Sequence, residues 1–367
     1  MPILHIRSSV PTTDLRIVHM GLYQSVQNAM NGITLVAGKP AVLRIYAQAI
    51  NNDGSNIQSE VTVRAYQGDN YLGSVKSGKQ PIPTQPTSQD FNSTFNLDLP
   101  EEWLHGRLKL IATIDNGDWV SELNEANNSA EHEFNFQAVP PLNLTIVPIV
   151  YTDSRLGITY HPTLGDPISE WLRSAYPVAQ VNVSHHAPYN FTGDLSRPGD
   201  WQRLLEGLTS LWAVEKGFGS PELFFGLIPT NGPQGSWFQS GIAGLGWIGQ
   251  RVAIGLDLGE ETAVLAAHEI GHNFGRRHAP CGNPNNVDPH FPYPNGSIGV
   301  FGFDTQETML LNPNHARDFM SYCGPEWVSD YTYEALIQDQ LTRGGRVGTI
   351  ADGFLVRASL EDDLLSI

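Results

Sequence analysis

In the stretch RLKLIATI every second position is apolar, so Leu108, Leu110, Ala112 and Ile114 share one face of an extended strand. The same alternation recurs in FNSTFNLDL through Phe95, Leu97 and Leu99, and in EFNFQA through Phe134 and Phe136. AVLRIYAQAI and VTVRAYQGDNYLGSV are further strand candidates, and the turn clusters NNDGSN and PIPTQPTS separate such runs. Residues 1–139 therefore read as all-β. Short strands with turns about every ten residues predict a sandwich of two sheets.

The period changes after Pro140-Pro141, a stiff joint. LNLTIVPIVY, QVNVSHHA and PELFFGLIP read as strands, and GIAGLGWIGQRVAIGLDL as a glycine-rich extended segment. Helices are expected at DPISEWLRSAY, with Asp166 as N-cap and Pro167 in the first turn, and at YTYEALIQDQL. RPGDWQRLLEGLTSLWAVEK places Trp201, Leu204, Leu205, Leu208, Leu211 and Trp212 on one helical face. GEETAVLAAHEIGHNFG reads as a helix stopped by Gly275. Strands alternating with helices predict an α/β (α+β) domain with a mixed sheet over residues 140–344. Residues 345–367 read as a tail or the start of a further β element. No internal repeat is visible.

Composition narrows the function classes. The 367-residue chain is long enough for two or three domains. Its net charge of −17 supplies nothing basic to neutralise phosphates, which excludes nucleic acid as a partner and speaks against an anionic membrane surface. No apolar run is long enough to insert in a membrane, and no signal peptide is visible at the N-terminus. There are two cysteines, Cys281 and Cys323; a pair is either a disulfide of an oxidising compartment or two unrelated buried thiols.

ATIDNGDWVSELNEANNSA, residues 112–130, resembles the late hairpin of bacterial cell-adhesion-related, immunoglobulin-like modules. The resemblance covers about residues 30–138 and implies an immunoglobulin-like sandwich. Within it, Asn116-Gly117 is a turn signal that tolerates positive φ. Asp115, Asp118, Glu122 and Glu125 offer oxygen ligands for Ca²⁺, or simply form a solvated polar loop; their spacing does not match an EF-hand.

The chemistry concentrates in HEIGHNFGRRH. His268 and His272 lie one helical turn apart on one face, suited to adjacent corners of a tetrahedral zinc site. Glu269 is about 100° round the helix, free to reach a water rather than the ion. Gly275 lets the chain turn back and offer His278 as a third nitrogen, leaving the fourth position for water. The whole H-E-x-x-H-x-x-G-x-x-H string resembles the zinc signature of the metzincin metalloproteases. Their second mark, a methionine turn, is matched by FMSYC, with Met320 lying 42 residues beyond His278. Met320 would place a soft apolar side chain under the imidazoles. The M-S-Y form is similar to the M-x-Y of the astacin and serralysin branches, which implies a role for Tyr322 as a zinc ligand or oxyanion donor. Ala279 matches no branch, so the clan is indicated but not the branch. A Cys281–Cys323 bridge would pin the third-ligand segment to the methionine turn. By chain-entropy reasoning it would contribute about 3–4 kcal/mol.

The resemblance implies a secreted or extracellular, bacterial zinc metalloendopeptidase acting on a protein or glycoprotein, with the β-sandwich docking substrate or surface. In that reading Zn²⁺ sits on His268, His272 and His278, and Glu269 is the general base. Gly244, Gly246 and Trp247 belong to an edge strand above the cleft, expected to be unpaired and to bind substrate by strand addition. Trp327, Tyr331 and Tyr333 would wall the pocket beyond the scissile bond. Two other readings stand beside it: a zinc-containing adhesin or glycan-binding protein with an inactive protease fold, and a zinc hydrolase of a non-protein substrate. Oligomeric state is not legible. His185 and His186 read as surface or packing residues, and His290 and His315 precede the methionine turn.

Overall fold

The computed structural model describes residues 12–51, 56–162, 168–232, 235–239, 241–343 and 355–360, the last as backbone. The fold is mostly β, with several sheets and few helices. The chain forms two compact units, Met1–Ala138 and Val139–Ile367. No helix among the described residues is long and apolar enough to cross a membrane.

The first unit carries two main β-sheets and a short two-stranded one, Gln58–Ser59 with Gln80–Pro81. Strands β1 (Thr13–Tyr23), β3 (Val42–Asn51) and β6 (Phe95–Asp98) form one sheet in the order β1-β3-β6. The other runs β2-β8-β7-β4-β5, built from β2 (Leu35–Val36), β4 (Val61–Gln67), β5 (Asn70–Lys76), β7 (Arg107–Ile114) and β8 (Ser129–Gln137). The alternating residues of β7 are buried as their period predicts, and with Leu43, Ile45, Val63, Phe95 and Phe134 they form one core. In the acidic loop, positive φ falls on Asp115 and Asp118 rather than on Asn116-Gly117. The carboxylate of Asp115 accepts from Val120 N (2.8 Å) and Ser59 Oγ (3.2 Å). Glu122 accepts from Leu15 N (2.6 Å) and Asn128 Nδ2 (2.9 Å). These acids tie the loop to the sheets; they do not gather into the Ca²⁺ cluster the sequence offered.

The second unit is built on a mixed sheet. Its strands are β9 (Leu142–Asp153), β10 (Ile158–Tyr160), β11 (Val181–His185), β12 (Tyr189–Gly193), β13 (Leu223–Pro229), β14 (Gly241–Trp247), β15 (Val252–Asp257) and β16 (Leu355–Leu360). The order is β10-β9-β13-β15-β14-β16, with β11 and β12 also pairing β9. β9, β13 and β15 are parallel, and β14 runs antiparallel to β15. β13 is buried along its whole length, as a central parallel strand should be. The glycine-rich segment is thus two strands, and Leu355–Leu360 of the tail adds strand β16 to this sheet. The helices are α1 (Ser169–Ala175), α2 (Pro198–Lys216), α3 (Thr262–Asn273) and α4 (Asp330–Arg343). Asp166 and Pro167 lie outside the described residues.

The sheet separates α2 from α3. Trp201, Leu204, Leu205, Leu208 and Trp212 of α2 pack with Ala243 and Leu245 of β14 and Ile254 of β15 in one core. Gly244 and Gly246 point the other way: a Cβ on either would strike Glu269 of α3. Glycine on this face lets the helix lie close against the sheet.

Candidate metal centre

α3 is fixed at both ends and along one side. Thr262 Oγ1 accepts from Leu258 N (2.7 Å) at its start. At its end Gly275 takes φ 78°, with Gly275 N bonded to His272 O (2.8 Å) and Arg276 N to Gly271 O (3.0 Å). That pair of bonds around a left-handed glycine is a Schellman motif. Asn273 Nδ2 donates to Trp247 O and Val252 O (both 3.0 Å), pinning the helix to the β14–β15 hairpin.

The turn after Gly275 returns His278 to the helix. The ring centroids of His268, His272 and His278 lie 4.8, 5.1 and 4.9 Å apart, almost an equilateral triangle. One nitrogen from each ring lies within 4.8 Å of the others, and all three residues are buried. The Nδ1 atoms each face a backbone carbonyl: His268 with Phe319 O (2.7 Å), His272 with Arg276 O (2.7 Å) and His278 with Asn285 O. A carbonyl only accepts, so each ring donates its Nδ1–H and keeps a lone pair on Nε2. The Nε2 atoms of His268 and His272 are buried without a hydrogen-bond partner. Burial pushes the pKa of His268 down to about 3, and that of His272 well below the usual imidazole value, with neighbouring histidines adding to both shifts. His278 is lowered by burial as well. Three neutral rings with inward lone pairs are the donor set a divalent metal takes. Among the described residues this is the one group of three or more His, Cys, Asp or Glu side chains placed to hold an ion.

The methionine turn lies against the same helix. Asp318, fully buried, accepts from Met320 N (2.8 Å) and from Ser329 N (3.0 Å). This bends the chain so that Phe319 O meets His268. The Met320 side chain lies against the bare Cα of Gly271; a Cβ there would sit 2.4 Å from its sulfur. Tyr322 places its hydroxyl 3.3 Å from His278 Nε2 and its ring 4.9 Å from that imidazole. Two backbone bonds, Ala279 N to Met320 O (2.9 Å) and Tyr322 N to Cys281 O (3.1 Å), zip the third-ligand segment to the turn. The Cys281–Cys323 disulfide closes the same junction, and no cysteine is left free.

Glu269 is fully buried beside β14. A Cβ built on Gly244 would lie 2.4 Å from its Oε1, and one on Gly246 would lie 3.1 Å from Oε2. These two glycines therefore make room for the carboxylate. Trp247 does not join them: it is on the opposite face, donating Nε1–H to Thr209 Oγ1 of α2 (3.0 Å). Nor is the edge of β14 unpaired, since β16 occupies it from Gly241 to Trp247. The expected aromatic wall also rearranges. Trp327 is packed in the core against Trp171 and Tyr333 is buried, while Tyr331 donates to Asp288 Oδ2 (3.0 Å). His290 and His315 are exposed, and His186 pairs with Glu215 (2.9 Å). Asp318 was not singled out by sequence, although an Asp two residues before the turn methionine is a signal for such a side-chain-to-backbone bond.

No protein-family model and no curated protein sequence matches the chain. Solved structures with some likeness include a CARDB domain from Pyrococcus furiosus in complex with di-metal ions. It is 17% identical, covers 36% of this chain and 99% of its own, and has a TM-score of 0.24. A cycloisomaltooligosaccharide glucanotransferase of Paenibacillus sp. is 10% identical over 59% of this chain and 28% of its own, with a TM-score of 0.21. A β-glucuronidase of Parabacteroides merdae is 11% identical over 60% and 24%, with a TM-score of 0.19.

Proposed function

We propose that the chain is a secreted zinc-dependent endopeptidase of the metzincin type, whose β module docks substrate or surface. One observation carries the reading: three buried, neutral imidazoles converge through Nε2 beside a buried glutamate, above a methionine turn. Nothing about a purely structural role calls for a carboxylate with room made for it by two glycines.

His268, His272 and His278 would hold the metal through Nε2. Zinc, when bound, supplies Lewis acidity, lowering the pKa of a water in its open position and polarising a carbonyl. Glu269 takes the proton of the attacking water on its carboxylate and returns it to the leaving amine nitrogen. The Tyr322 hydroxyl, 3.3 Å from His278 Nε2, is within reach of the oxyanion that develops on the scissile carbonyl. The three carbonyl acceptors keep the rings from rotating as charge moves.

The test is metal analysis together with casein or gelatin cleavage by the wild type and Glu269→Ala. Stoichiometric zinc, chelator-sensitive cleavage, and a loss of about 10²–10⁴-fold in the variant with zinc retained are expected. Full zinc with no cleavage across a protein panel would overturn the reading.

A further inference from the structure

β14 is the strand that lies against Glu269 and its far edge faces away from β15. That edge is filled from within the chain. β16 runs antiparallel along it, with Gly241 opposite Leu360, Ile242 opposite Ser359, Gly244 opposite Ala358, Gly246 opposite Val356 and Trp247 opposite Leu355. The register shifts by one residue between Ile242 and Gly244. The two glycines that accommodate Glu269 are therefore the two whose partners are Ala358 and Val356. α3, which carries His268, Glu269 and His272, approaches β16 as well as β14. The segment LVRASL thus passes the site as an extended, largely apolar hexapeptide in main-chain pairing. Pairing of this kind recognises backbone and tolerates many sequences, which is how an extended polypeptide is taken up at an open edge.

We propose that Leu355–Leu360 is an intramolecular occupant of the peptide-accepting edge: it holds the place of an extended substrate strand on β14 and must leave before one can bind. That the edge serves catalysis rests on the protease reading; that this segment competes with a foreign strand does not.

Two variants of the full chain test this. Val356→Pro with Arg357→Pro removes an N–H from each edge of β16, so the ladder to β14 is broken whichever edge faces it. Amides of Gly241–Trp247 are then expected to exchange about tenfold faster or more while those of β13 and β15 hold their rates. A fluorescein-labelled peptide of residues 354–361 is expected to bind this variant about tenfold or more tighter than the wild type, in which the tail competes with it. Ile242→Cys with Ser359→Cys places cysteines at paired positions. Mild oxidation is expected to lock the strand and prevent binding of the labelled peptide, and reduction to restore exchange between tail and peptide. Unchanged β14 exchange in the proline variant, equal peptide binding by variant and wild type, or failure of the cysteine pair to cross-link would each overturn the proposal. Zinc-loaded proline variant is expected to cleave casein about tenfold faster than wild type. Absence of cleavage by both, with the exchange and locking results as expected, counts against hydrolysis and leaves the occupancy standing.

Discussion

Glu269 has so little room that its position is decided by what its neighbours lack. Gly244→Ala would set a methyl group 2.4 Å from Oε1, and the carboxylate would have to move. Cleavage is expected to fall about 10²-fold or more, since misplacing a reacting group by an ångström costs that much, while bound zinc stays stoichiometric. Metal analysis beside casein turnover distinguishes this from loss of the triad. His268, His272 and Glu269 were legible because a helix fixes the angle between neighbours, and His278 because Gly275 marked the turn that returns it. The carbonyls of Arg276, Asn285 and Phe319 were not, because any backbone offers a carbonyl and only folding chooses which one meets a ring. Trp247 misled for a related reason. A strand sends neighbours to opposite faces, and its glycines, not its aromatic residue, face the site.

Among the elements, the turn from α3 to His278 depends on Gly275 at φ 78°. Gly275→Val forces a β-branched residue into left-handed backbone and is expected to destabilise the unit by about 1–2 kcal/mol, measured by denaturant melts. The segment beyond it is clamped by the Cys281–Cys323 bridge. Replacing both cysteines by serine is expected to cost about 3–4 kcal/mol in the same assay and to weaken zinc retention against a chelator. Helices and buried strands were readable from their periods: α2 buries the face its apolar spacing marked, apart from half-buried Leu211. The pairing of β14 with β16 was not readable. Strand partners distant in sequence are set by tertiary packing, and the open edge expected there could not reveal what would fill it.

At the scale of the molecule, all three triad histidines belong to the Val139–Ile367 unit and none to the Met1–Ala138 unit. Chelation is therefore expected to lower the melting transition of the second unit alone, and added zinc to restore it, by about 2.7 kcal/mol at a hundredfold excess over Kd. Calorimetry with and without chelator checks this. The change from a two-residue to a mixed period near Pro140 made the two-part organisation visible in sequence. The acidic loop of the first unit offered either calcium ligands or a solvated polar loop, because four carboxylates crowd together along the chain; folding sends two of them to backbone amides. The orienting carbonyls of the triad, finally, come from three separate stretches around Arg276, Asn285 and Phe319. An ion bound there would meet rings already aimed by the backbone, so the chelated chain is expected to keep its fold, checked by far-UV circular dichroism with and without chelator.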